Sequence, residues 1–200
     1  MTTPHWDYFL ALCDDVQKTG RYVEIASENH HAFSVEFVRL LLAIGSEIDV
    51  VAKQLCIKIS PSSKAANINE YRAELTAKYP AFSTVSVNIS RATIALVPWV
   101  AWAKGQNPVW WQYYNNVKHQ RHRYYKEANQ LNTLNSLAGL FVLLGYFYAE
   151  EMDRFELTPF PDLLHFDSKY RGSVSRTIME RQYRLPGVPI PESLAIAKKR

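Results

Sequence analysis

Between Leu137 and Ala149 the chain reads Leu-Ala-Gly-Leu-Phe-Val-Leu-Leu-Gly-Tyr-Phe-Tyr-Ala, without a single charged side chain. A helix of that composition is apolar on every side and must be surrounded by other elements. The run is shorter than the roughly 20 residues that a bilayer span needs. It therefore predicts a buried core helix, and the rest of the chain has to supply amphipathic partners for it.

Those partners are visible in the periodicity. Trp6, Phe9, Leu10, Cys13 and Val16 repeat at intervals of three and four over residues 5–18, and Thr19-Gly20 ends that helix. Phe37, Leu40, Leu41, Ile44, Ile48, Val51, Ala52 and Leu55 form one apolar stripe over residues 34–56, with Ser34 as its N-cap. Asn67 caps a third helix over 68–78, which stops before Pro80. Tyr22–Ile25 reads as a brief extended piece. The period then changes: Val85, Val87 and Ile89 alternate with polar residues, and Thr93–Val97 is β-branched and apolar, which predicts a β-hairpin. Asn107-Pro108 starts a fourth helix reaching about residue 128. A fifth spans about 131–154, where Ser136, Ala138, Gly139 and Gly145 permit close packing. Beyond Phe155, the pairs Phe160-Pro161, Leu185-Pro186, Val188-Pro189 and Ile190-Pro191 predict an extended arm that ends in Lys198-Lys199-Arg200. The expected fold class is mainly α: a helical bundle of four to five helices, with a small inserted β-hairpin and an irregular C-terminal arm. The bundle domain covers 1–155 and the arm 156–200.

Composition narrows the class of function. A net charge of +4 and a pI near 9.0 favour an anionic partner, but the charge density is well below that of a dedicated nucleic-acid binder. Cys13 and Cys56 have no CxxC spacing, which argues against a disulfide framework or a zinc ribbon. The first residues carry neither a basic n-region nor an apolar h-region, so a cytoplasmic location with no membrane partner is expected.

The chemistry is concentrated in Tyr113-Tyr114-Asn115-Asn116-Val117-Lys118-His119-Gln120-Arg121-His122-Arg123. On a continuous helix, residues four apart share a face. Asn115 then lies beside His119, and His119 beside Arg123, with His122 near the same edge and Lys118 and Arg121 flanking it. An imidazole exchanges a proton near neutral pH, and an amide orients a hydroxyl or the imidazole. Cations hold a phosphate and steady charge that develops on it. Together these parts would cleave RNA without a metal, with His119 as the base for the ribose 2′-hydroxyl. In that scheme Asn115, Arg121 and Arg123 complete the catalytic set, while Lys118 and His122 bind phosphate. Glu47 and Asp49 sit in the middle of an apolar helix and need partners if they face inward. The expected partners are Lys118, His119 and Arg121. The spacing calls for no metal and no cofactor.

Tyr114-Asn115-Asn116-Val117-Lys118-His119 resembles the motif of the HEPN superfamily, the higher eukaryote and prokaryote nucleotide-binding helical domains. In that family an Arg, usually followed by a polar residue such as Asn, precedes a His by a short spacer. Asn115 matches the Asn and His119 the His, whereas the family's Arg falls on Tyr114. The resemblance covers about six residues in motif and roughly residues 34–154 in helical layout. It implies a helical bundle, RNA or a nucleotide as partner, metal-independent RNA cleavage in active members, and a homodimer. The competing reading is a non-catalytic helical dimer or protein-interaction module whose Asn/Lys/His/Arg cluster is structural. Exposure of His119 in a groove favours catalysis, and burial against Glu47 or Asp49 favours the structural role.

Overall fold

The computed structural model describes residues 3–90, 92–154, 156–170 and 183–189. Its longest helix is α2 (Val35–Ile59), which packs along α5 (Gln130–Phe147). Every residue from Ser136 to Tyr146 is buried, so the apolar run is enclosed on all sides. Each large apolar side chain so buried contributes about 1.5–3 kcal/mol before the cost of ordering it. Helices α1 (Pro4–Thr19), α3 (Ile68–Lys78) and α4 (Val109–Tyr124) surround this pair, and a short α6 (Ala149–Asp153) follows it.

The two side-chain caps read from the sequence are made. Ser34 Oγ accepts from the Phe37 amide at 3.1 Å, and Asn67 Oδ1 accepts from Asn69 and Glu70. Three local expectations change. Residues 22–25 form turns rather than an extended piece, because the Tyr22 and Val23 amides both donate to the Thr19 carbonyl and continue the coiling past α1. Helix α4 starts at Val109 after Pro108, while the Asn107 side chain ties to Arg72 and Asn69 of α3 instead of capping it. The last helix breaks at Tyr148 (φ −102°, ψ 30°), where Lys58 Nζ donates to the Phe147 carbonyl at 2.7 Å.

The hairpin is present and gains a third strand. Strands β1 (Val87–Ile89) and β2 (Ile94–Leu96) pair antiparallel, and β3 (Leu164–Phe166) pairs antiparallel on the other edge of β1. Val87 faces both Leu96 and Phe166 in register, and Ile89 faces Ile94 and Leu164. The segment after residue 155 thus enters the core. Phe166 stacks on Phe141 of α5 at 4.0 Å between ring centroids, and Phe141 stacks on Phe9 of α1 at 5.3 Å. This segment also packs closely on Gly145 of α5: a Cβ there would lie 2.7 Å from Leu185 Cδ1 and 2.8 Å from Phe166 Cζ. Lys198–Arg200, Ile190-Pro191 and residues 171–182 lie outside the described residues. Among the described residues no helix is long and apolar enough to cross a membrane.

Candidate functional site

Helix α4 is anchored by the side chains of its first half. Trp110 Nε1 donates to the Pro98 carbonyl at 2.8 Å, and its ring lies against Gly139 of α5. Tyr114 is 3% exposed and lies on Gly45 of α2, so closely that a Cβ at 45 would sit 2.3 Å from Tyr114 Cδ2. Position 114, where the HEPN motif carries its Arg, is therefore a core position directed at α2. Asn115 is half-buried, and its Nδ2 donates to the Trp111 carbonyl at 2.9 Å. That bond closes the side chain onto its own helix, a habit of short polar side chains. Asn116 donates to Glu127 Oε2 at 2.9 Å.

The second half has the opposite character. Every residue from Lys118 to Arg123 is exposed. Leu42, Val117, Lys118, His119, Arg121, His122 and Tyr125 line one open groove. Asn115 does not line it, so the amide and the imidazole expected to act together are directed differently. Nor does Arg123 continue the His119 face. The backbone at Gln120 leaves helical geometry (φ −140°, ψ 49°), which breaks the four-residue register. The Arg123 guanidinium instead lies over the Tyr124 ring at 5.4 Å.

The groove gathers four basic or imidazole side chains without a carboxylate among its lining residues. Among the described residues no ion pair or hydrogen bond of the side chain engages Lys118, His119, Arg121 or His122. Lys118 Nζ stands 5.5 Å from the Tyr114 ring centroid. The expected acids are elsewhere. Glu47 Oε1 is 2.6 Å from His5 Nδ1, whose Nε2 is 3.1 Å from Gln54 Oε1, so Glu47 ties α1 to α2. Asp49 Oδ1 accepts from the Tyr71 hydroxyl at 3.2 Å and ties α2 to α3. The inference that these acids serve α4 is corrected by the helix geometry: positions 47 and 49 meet α1 and α3, whereas α4 meets α2 through Gly45.

Two further groups define what the region can do. Phe33 is 44% exposed and meets the Tyr125 ring edge to face at 5.8 Å, with Lys126 Nζ 5.8 Å from its centroid. The loop bearing Phe33 is held to the start of α5, with the Gln130 amide donating to Ala32 O and the Leu131 amide to His30 O. The periodicity gave Phe33 no role; its one signal was an aromatic immediately before a helix cap, which reads equally well as a packing residue. The cysteines are poor nucleophiles. Burial pushes the Cys13 thiol well above its ordinary range, and burial with the Glu74 carboxylate nearby pushes Cys56 up to about 12. Among the described residues no group of three or more His, Cys, Asp or Glu side chains is placed to hold a metal ion.

What remains is an exposed set of two permanent cations, Lys118 and Arg121, beside two imidazoles. Arginine grips phosphate with a planar fork and lysine as a point charge. No protein-family model, curated protein or solved structure matches the chain.

Proposed function

We propose that the protein is a cytoplasmic, HEPN-like helical module that binds RNA or a nucleotide through the second half of α4. Lys118, Arg121 and His122 take phosphate oxygens, and His119 meets the adjacent sugar or phosphate. One observation carries this reading: four basic or imidazole side chains share an exposed groove and have no carboxylate partner among the described residues. Unpaired exposed cations gain more from an arriving polyanion than cations already neutralised, since counter-ions are released without an ion pair being broken.

Binding is favoured over cleavage. In the cleavage scheme His119 would remove the proton of a 2′-hydroxyl while a second group oriented it and a cation met the phosphorane. The side chains at 114 and 115 that would assist are directed into the core and onto the Trp111 carbonyl. A purely structural role for the cluster is disfavoured by the same exposure.

The test uses fluorescence anisotropy with labelled RNA in EDTA over a salt series. Binding is expected to weaken with salt at a log–log slope of about 0.7 per phosphate contact, as for a single strand. Absence of binding at low salt would remove the proposal. The same samples, run on a gel beside His119→Ala, report cleavage. Metal-independent cleavage by the wild type that vanishes in the variant would promote His119 from binding to catalysis. The homodimer implied by the resemblance belongs to this proposal, and sedimentation tests it; a monomer with and without RNA would remove the dimer and leave the binding site standing.

A further inference from the structure

One residue of the α4 groove, Tyr125, belongs to an aromatic pair whose other member, Phe33, lies outside the groove lining. Tyr125 lines the groove beside His122, and its ring meets Phe33 at 88° and 5.8 Å. Phe33 comes from a different element, the loop before α2, and is 44% exposed although it carries a large apolar ring. That loop is pinned by the backbone bridge between Phe33 and Asn129. The main chain that carries the ring is therefore held in place by its own hydrogen bonds, and the ring by its contact with Tyr125. Lys126 Nζ stands over the Phe33 ring, 5.8 Å from its centroid, on a flexible exposed side chain that an arriving base can displace toward its phosphate.

We infer that Phe33, with Tyr125 behind it, is a stacking ledge for an unpaired nucleobase whose phosphates lie along Lys118, Arg121 and His122. The inference rests on the α4 reading and adds the chemical feature that the groove selects. An exposed aromatic ring beside a cationic groove is how a protein holds single-stranded nucleic acid, because every base has a π-face and stacking tolerates sequence. A base stacked inside a duplex offers no free face, so the ledge discriminates against duplex. A plain polyanion has none at all. Charge complementarity favours a nucleic-acid strand here over a second copy of this chain, since a copy would bring the same cations to the same groove.

The experiment measures anisotropy of the full chain with three probes: a short labelled oligoadenylate, an abasic strand of the same length, and the corresponding duplex. The wild type is expected to bind oligoadenylate at least about fivefold more tightly than the abasic strand, the scale of one stacked base. Phe33→Ala and Phe33→Leu should remove that preference while leaving abasic binding unchanged, and Phe33→Trp should retain it. Leucine keeps the apolar bulk without the π-face, so it separates stacking from packing. Equal affinity of the wild type for both strands overturns the ledge, as does a preference that survives Phe33→Leu. Loss of abasic binding in the wild type removes the groove itself, a different failure. A dimer that dissolves in Phe33→Ala with strand preference intact overturns the ledge by assigning the ring to contact between copies.

Discussion

From Val109 to Val117, α4 buries Trp110, Trp111, Tyr114 and Val117; from Lys118 to Arg123 it buries nothing. The two halves are continuous in sequence and differ in what holds them. The first is fixed by close approach, with Tyr114 against Gly45 and Trp110 against Gly139. The second is exposed: Lys118 lies over the Tyr114 ring and Arg123 over the Tyr124 ring, and Asn116 just before it donates to Glu127 just after the helix. One helix can thus be both an architectural element and a charged surface, and the non-helical backbone at Gln120 breaks the register within the charged half. The motif of the HEPN resemblance straddles the boundary. Positions 114 and 115 belong to the architectural half and position 119 to the surface half.

Placing a cation in the wrong half gives the largest expected effect. Tyr114→Arg supplies the Arg of the HEPN motif that the sequence resembles but puts a guanidinium into a buried contact with α2. We expect a loss of at least about 3 kcal/mol, the scale for burying an unpaired charge, and no gain in RNA cleavage. A stable Tyr114→Arg protein in chemical denaturation would mean that α4 can rotate, and the division of the helix would fail. Gly45→Ala tests the same contact from the α2 side. Its new Cβ overlaps the Tyr114 ring, and overpacking of this kind costs about 1–3 kcal/mol. Thermal denaturation should show it, with RNA affinity per folded molecule unchanged.

Reversing charge in the other half should do the opposite. Lys118→Glu with Arg121→Glu is expected to weaken RNA binding by at least about tenfold and to lower the salt slope by about 0.7 per lost contact. Exposed substitutions of this type move stability by no more than about 0.5 kcal/mol. A double variant that loses stability as well would show that the cations are structural, and the distinction between the halves would be erased.

The elements were legible wherever burial is one-sided or complete. The α2 stripe, the Ser34 and Asn67 caps and the apolar run of α5 follow from local composition, because period and capping are properties of neighbouring residues. Strand β3 was not legible: Leu164-His165-Phe166 is too short to show a period, and its partner β1 is distant in sequence. In the candidate site, the basic character of Lys118, His119, Arg121 and His122 was plain. The side each neighbour takes was not, because that depends on Gly45 of another helix and on backbone angles at Gln120. The same limit explains Glu47. Its acidity marked it as needing a partner, but His5, far away in sequence and paired at 2.6 Å, was as available as His119.

The smallest expected effect concerns a cation of the opposite kind. Arg39 on α2 is as exposed as a typical surface residue, yet it is held by two carboxylates, donating to Asp15 at 2.8 Å and through Nε to Glu36 at 2.9 Å. The bond from Arg39, with a smaller one from Lys18, holds the Asp15 carboxyl below its ordinary range. A depressed carboxyl stabilises the fold in full above its unfolded pKa of about 3.9, and that contribution fades as pH falls through the lower folded value. Solvent screens so exposed a pair, so its worth is about 0.5 kcal/mol or less. Asp15→Asn should therefore lower stability slightly near neutral pH, and the gap to the wild type should close below about pH 4. Urea denaturation at neutral and acid pH measures this, and RNA affinity should not move. If Asp15→Asn strengthened RNA binding, Arg39 would have been a masked part of the anion surface. The contrast between paired and unpaired cations would then be one of degree, and the surface half of α4 would lose its claim to be the whole site.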